Sequence, residues 1–197
     1  MHTLSSGSPT TSSTRRLARV ATTATALAVV LAACGSDGDD AASGAVSGEV
    51  SESPLALTAV DYAYQGVPEQ VRAGAEITLA NDSDVEVHEV VAIRLPDDED
   101  RPVSEIVTLP PEELATFFPF VETVVVAPPG APSGMVVEGS GVLDEPGRYA
   151  LICVIPTGAD PDEYLAAAAA AEGGPPQVDG GPPHIVEGMF AEVTVVE

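Results

Sequence analysis

The chain has 197 residues, a formal net charge of −24, and no lysine among its seven basic residues. Because a protein this acidic lacks the positive surface that neutralises phosphates, nucleic acid is not expected as a partner. The same charge repels anionic lipid head groups, which excludes attachment to a membrane through a basic face. An acidic surface can steer a cationic redox partner or simply keep the protein soluble, and composition leaves both open.

Residues 1–33 are predicted to be a secretory leader. Arg15, Arg16 and Arg19 precede an uncharged stretch at 20–33, an order typical of signal peptides, and the stretch is too short to span a bilayer. The sequence at 31–34 resembles the lipobox of bacterial lipoproteins, which implies a lipid on Cys34 and an extracytoplasmic, membrane-anchored protein. An ordinary secretory leader is the alternative. Removal of the leader's three arginines takes the formal charge from −24 to −27.

Residues 34–53 are predicted to form a flexible tether, because Gly, Ser, Ala and Asp dominate this segment and large apolar residues are few. The folded part is expected to occupy 54–197. That length is common for one domain with a single core. The domain organisation is therefore expected to be a leader, a tether and one domain.

The domain itself is predicted to be all-β. Its turn-forming Gly and Pro residues alternate with short segments rich in Val, Ile, Leu and Thr, which is typical of a β-sandwich. Several segments alternate apolar and polar residues with a period of two, as expected when one face is buried. The predicted strands are 55–62, 70–72, 76–81, 85–95, 103–109, 121–126, 134–142, 147–154 and 189–196.

One short α-helix is predicted near 160–172. Asp160 suits the N-cap, Pro161 suits the first helical position, and Glu163 lies three residues after the cap. A helix of this length is marginal alone, so we expect it to pack on the sandwich. The side chains expected to make that contact are Tyr164 and Leu165.

Soft metal ligands are scarce once the leader is removed. Apart from Cys34, the remaining chain holds two histidines, one cysteine and two methionines, namely His88, His184, Cys153, Met135 and Met189. Outside the cytoplasm a lone thiol is exposed to oxidation, and Cys153 has no disulfide partner if Cys34 carries a lipid. Metal ligation is one reason to keep such a thiol. A buried, inert cysteine is the alternative.

The order of these residues resembles that of the cupredoxins, the small blue copper proteins of the plastocyanin type. The resemblance lies in Asn81 with His88, in Gly147-x-Tyr149-x-x-x-Cys153, and in Pro183-His184-x-x-x-x-Met189. It implies a Greek-key, cupredoxin-like β-sandwich that holds one mononuclear type 1 copper ion. His88, Cys153 and His184 would be the strong ligands, and Met189 the weak axial ligand.

Two features depart from the family's pattern. The cysteine and the second histidine are separated by an insertion at 157–183, where the family has only a few residues. Because closure entropy rises slowly with loop length, the insertion need not keep the ligands apart. Glu89 also stands after the first histidine, where the family more often has Asn or Asp.

The resemblance implies a monomeric, membrane-tethered protein that carries single electrons to or from a redox partner and is not an enzyme. The alternative is a copper-handling, or a non-redox structural or ligand-binding, lipoprotein of the same fold. An enzyme in which Cys153 is a nucleophile paired with His88 or His184 is a third possibility. The sequence contains no nucleophile elbow, phosphate loop or zinc cysteine cluster.

Overall fold

The computed structural model describes residues 50–51, 54–171 and 174–197. The predicted leader, the predicted lipidation site Cys34 and most of the predicted tether lie outside the described residues. Across the described ranges, no helix has the length and apolar character needed to cross a membrane.

The described strands form two sheets. One sheet has the order β1-β4-β11-β10-β6-β7-β8, and the other has the order β3-β2-β5-β9. The predicted all-β sandwich with an inserted helix is confirmed. The strands are β1 (Val50–Ser51), β2 (Leu55–Val60), β3 (Ala63–Gln65), β4 (Gln70–Arg72), β5 (Ala75–Asn81), β6 (His88–Arg94), β7 (Val121–Ala127), β8 (Met135–Glu138), β9 (Val142–Leu143), β10 (Gly147–Ile152) and β11 (Phe190–Val196).

Burial along the strands follows the sequence pattern. In β5, Ala75, Ile77 and Leu79 are buried and alternate with more exposed residues, as expected for a strand with one face on the core. In contrast, β6 is buried along nearly its whole length. It lies between β10 and β7 in the larger sheet, so both of its edges are paired, and this central position fixes its first residue, His88.

The structure has three short α-helices in the described ranges: α1 (Val103–Ile106), α2 (Pro111–Leu114) and α3 (Pro161–Ala170). Helix α3 is the one predicted in the insertion. The Asp160 carboxylate accepts a hydrogen bond from the backbone N–H of Glu163 at 2.9 Å, which satisfies one free donor of the first turn. Tyr164 is buried and Leu165 packs partly buried against the core. The predicted cap and packing face are therefore confirmed.

The predicted strand at 103–109 is wrong, because its first half is helix α1. Val103 and Ile106 are both buried and lie three positions apart, which is the spacing of one helical face. Pro102 takes the N-cap position before them. The β-branched composition of the segment suggested a strand, but the spacing of its apolar residues is helical.

The predicted strand at 134–142 is also corrected. Gly139 and Gly141 have φ angles of +74° and +78°, in the left-handed region that interrupts a strand. They separate β8, which pairs with β7, from β9, which pairs with β5 in the other sheet.

Two short strands were not predicted. Strand β3 has no recognisable strand pattern in the sequence, and β1 lies within the predicted tether, where Val50 pairs with Gln70 and Ser51 with Val71 of β4. Both pieces are too short for a periodicity to be read. Sheet pairing therefore occurs before Pro54, the predicted start of the domain.

Candidate metal centre

The first histidine is held by the loop that precedes β6. The Asn81 side chain donates hydrogen bonds at 2.9 Å to the backbone carbonyls of Glu86 and Ala127, and its oxygen accepts one from the Ser83 N–H. One amide side chain thus joins the end of β5, the loop and the end of β7. His88, the first residue of β6, is completely buried.

The other candidate ligands lie on a segment that folds back on itself after β10. The N–H of Cys153 donates to the carbonyl of Met189, and the N–H of Ile185 donates to the carbonyl of Cys153, at 3.2 and 2.8 Å. The N–H of Met189 donates to the carbonyl of His184 at 3.0 Å. These backbone bonds place the cysteine, the second histidine and the methionine in one compact turn.

The insertion leaves and re-enters this turn at neighbouring residues. Pro156 and Pro183 form an antiparallel bridge, and the N–H of Thr157 donates to the carbonyl of Pro182 at 3.0 Å. The extra residues are thus an excursion from an otherwise intact loop, which is how Cys153 and His184 remain adjacent.

The side chains of His88, Cys153 and His184 converge. The two Nδ1 atoms are 3.2 Å apart, and the Cys153 Sγ is 3.3 Å from the His184 Nδ1. One donor atom from each residue lies within 4.8 Å of the others, and all three residues are buried. Met189 is also completely buried, with its backbone bonded to both His184 and Cys153. Met135, the other methionine, is half exposed on β8.

This donor set fits a soft or borderline metal ion. Two imidazole nitrogens and a thiol sulfur face one another, and soft thiolate with imidazole is the combination that suits copper. Among the described residues the outer Nε2 atoms of both histidines are buried without a hydrogen-bond partner. An imidazole that ligates through Nδ1 keeps its proton on Nε2, so the orientation of both rings is that of ligands.

Burial sets the protonation of the three side chains. Burial lowers the pKa of His88 to about 4, and the neighbouring His184 adds to that effect. Burial also lowers the pKa of His184, although the nearby Glu86 carboxylate acts in the opposite direction. The pKa of the Cys153 thiol is raised well above its usual value by burial and by Glu89. The imidazoles are therefore neutral and free to ligate, while the thiol must lose its proton to the surroundings before its sulfur can bind a metal cation.

Two carboxylates beside His88 connect the site to the insertion. Glu89 accepts hydrogen bonds from the Val154 N–H at 3.2 Å and from the Tyr164 hydroxyl of α3 at 2.7 Å. Burial raises the pKa of Glu89 to about 6, against the lowering effect of the Tyr164 hydrogen bond. Glu86 accepts from the N–H of Gly158, also in the insertion.

From the sequence, Glu89 was expected only to depart from the cupredoxin pattern, and no role was predicted for Glu86. A sequence feature could have identified both acids. They flank a histidine within a run of valines, where an unpaired charge would be costly.

Comparison with known proteins gives a weak structural likeness. No protein-family model and no curated protein matches the chain. A sodium-dithionite-reduced auracyanin from Roseiflexus castenholzii is similar with a TM-score of 0.42 and 17% identity, over 74% of this chain and 98% of that one. Auracyanin A, a "blue" copper protein from Chloroflexus aurantiacus, gives 0.37 and 12%, over 74% and 100%. Auracyanin B gives 0.31 and 19%, over 77% and 96%.

Proposed function

We propose that this protein is a cupredoxin-like electron carrier that binds one mononuclear type 1 copper ion. His88, Cys153 and His184 would be the strong ligands, and Met189 the weak axial ligand. The observation that carries the proposal is the convergence of two Nδ1 atoms and one thiol sulfur in a buried pocket. A trigonal His₂Cys set with a distant thioether is the ligand set of blue copper sites.

The surrounding structure suits single-electron transfer. Bound copper would supply a one-electron couple. His88 is the first residue of a central strand, and the backbone bonds of Cys153, His184 and Met189 fix their turn. A ligand cage held this firmly by the backbone rearranges little between two oxidation states, so the reorganisation that slows electron transfer is small. Burial of every ligand keeps water from the site.

The ligand assignment is tested by adding Cu(II) to the metal-free protein. We expect one equivalent to bind with an intense thiolate charge-transfer band and reversible reduction. Cys153→Ser should abolish the band, and Met189→Leu should keep the colour but shift the potential. Met135→Leu is the matched control, because this thioether is exposed on β8. A protein that stays colourless with Cu(II) would refute the proposal.

A copper-handling role is the second candidate, and one observation favours it. His184 has no exposed surface, whereas an electron carrier benefits from an exposed ligand edge near its partner. Fast transfer of copper to a chelator, together with slow electron self-exchange, would support this role. Slow copper loss with fast self-exchange would support the electron carrier.

We also propose that a lipid on Cys34 tethers the protein to the outer side of the cell membrane, where a separate redox protein would be its partner. The sequence at 31–34 supports this proposal. Intact-mass measurement of the membrane fraction should show a lipid-modified Cys34. Cys34→Ala should release the protein from that fraction, and an unmodified protein that stays membrane-bound would contradict the tether.

A further inference from the structure

The outer edge of His184 is covered by a carboxylate. His184 is completely buried, and its Nε2 lies 3.5 Å from the Oε2 atom of Glu86. Among the described residues, Glu86 is the only acid whose carboxylate pairs with a histidine. That separation places the acid opposite the ring nitrogen that points away from Cys153 and His88.

Glu86 is held in this position from several sides. Its own N–H donates to the Ser83 hydroxyl at 3.0 Å, and its carbonyl accepts from the Asn81 side chain. Its carboxylate accepts from the Gly158 N–H, at 3.1 Å to one oxygen and 3.2 Å to the other. Gly158 belongs to the insertion and has a φ angle of +69°. The insertion therefore contributes a backbone donor that fixes the acid beside the histidine.

Tyr62 completes the cover. Its ring meets the His184 ring edge-on, with centroids 5.0 Å apart, and its hydroxyl donates to the Glu86 Oε1 at 3.4 Å. Tyr62 is the one described residue other than glycine with a positive φ, at +62°. That backbone conformation is unfavourable for a tyrosine and is found here at a residue that contacts both His184 and Glu86.

We propose that Glu86 is a positioning residue for His184. Through its charge, 3.5 Å away, it favours the tautomer with the proton on Nε2, which turns Nδ1 toward the other ligands, and with Tyr62 it seals this edge of the imidazole from solvent. The inference rests on the proposed copper site. It adds that the covered Nε2 edge of His184 is not the part of the site that contacts solvent or a partner. A carboxylate beside a copper ligand also stabilises Cu(II) relative to Cu(I).

The seal is tested first in the metal-free protein, by labelling with diethylpyrocarbonate and locating the modified histidine by mass spectrometry. In the wild type, His184 should be protected. Glu86→Asp keeps the charge but shortens the reach, and Glu86→Gln keeps the shape. We expect labelling of His184 to rise at least about tenfold in Glu86→Asp, with far less change for Glu86→Gln, which fills the same space as the glutamate. Glu187→Gln, a nearby exposed acid, is the control and should leave His184 protected.

The effect on copper is tested by redox titration of the loaded protein. Glu86→Gln should raise the preference for Cu(I) over Cu(II) about tenfold, which is about 59 mV for a one-electron couple. Glu187→Gln should shift it by much less. Equal shifts in the two variants would show a general charge effect and overturn the positioning role, as would unchanged labelling of His184 in Glu86→Asp. If the protein binds no copper, the proposed function fails, while the labelling result still decides the role of Glu86.

Discussion

The hydrogen bond between Tyr164 and Glu89 should anchor helix α3 through a buried charge. The two oxygens are 2.7 Å apart, within the range of a bond to an ionised carboxylate, and both side chains are buried. Tyr164→Phe removes the donor and leaves the ring. Because the carboxylate then loses one of two partners in a dry site, we expect a loss of about 1.5 to 3 kcal/mol in the free energy of unfolding at pH 8.

The loss should depend on pH in a stated direction. The hydrogen bond from Tyr164 lowers the pKa of Glu89, which burial raises to about 6. In Tyr164→Phe the pKa of Glu89 rises further. At pH 5 Glu89 is therefore protonated in the folded variant, which avoids an unpaired buried charge. We therefore expect the cost of Tyr164→Phe to fall to about 1 kcal/mol at pH 5.

Urea unfolding of the metal-free protein at both pH values measures this cost. Tyr64→Phe is the control, because the Tyr64 hydroxyl donates to the neutral backbone carbonyl of the same Glu89. Its cost should be about 0.5 to 1.5 kcal/mol and the same at both pH values. Equal and pH-independent costs in the two variants would refute the claim that α3 is anchored through a charged partner.

Two further predictions concern stability away from the site. The Arg101 guanidinium lowers the pKa of Glu99 to about 2, so the stabilisation from this pair is present above pH 4.5 and is lost as pH falls through 2. Glu99→Gln should therefore cost about 1 kcal/mol at pH 7, given solvent screening, and little at pH 2 in acid-unfolding curves. Gly139→Ala, at φ +74°, places a Cβ on the Glu122 carbonyl oxygen and should lower the stability measured by thermal unfolding by about 3 kcal/mol. Gly130→Ala, at φ +67° with open space around it, should lower it by only about 1 kcal/mol. Equal losses at the two glycines would contradict the contact at Gly139.

Residues with a strong local signal were predicted well. Asp160 and Pro161 specify the start of α3 through chemistry confined to one turn, and the structure reproduces it. Strand β4 was predicted with its observed bounds, because turn-forming residues, Pro68 and Gly74, lie on either side of it. The convergence of His88, Cys153 and His184 was predicted only because their order along the chain resembles that of the cupredoxins, and not from any local property.

Contacts between distant segments could not be predicted from the sequence. The bond from Tyr164 to Glu89 joins residues 75 positions apart, and nothing in the composition of an alanine-rich helix indicates its partner. The approach of Glu86 to His184 likewise depends on where the insertion folds. The error at 103–109 has a different origin, since Val103 and Ile106 favour strands by composition and a helix by spacing.

The bridge between Pro156 and Pro183 makes the intervening segment separable from the ligand turn. Because the Thr157 N–H bonds to the Pro182 carbonyl at the base of the excursion, Cys153 and His184 stay together when the part of the excursion that does not contact Glu86 or Glu89 is lengthened, shortened or exchanged. Such a segment is a natural position for variation among related chains and for grafting a foreign peptide beside a preserved centre.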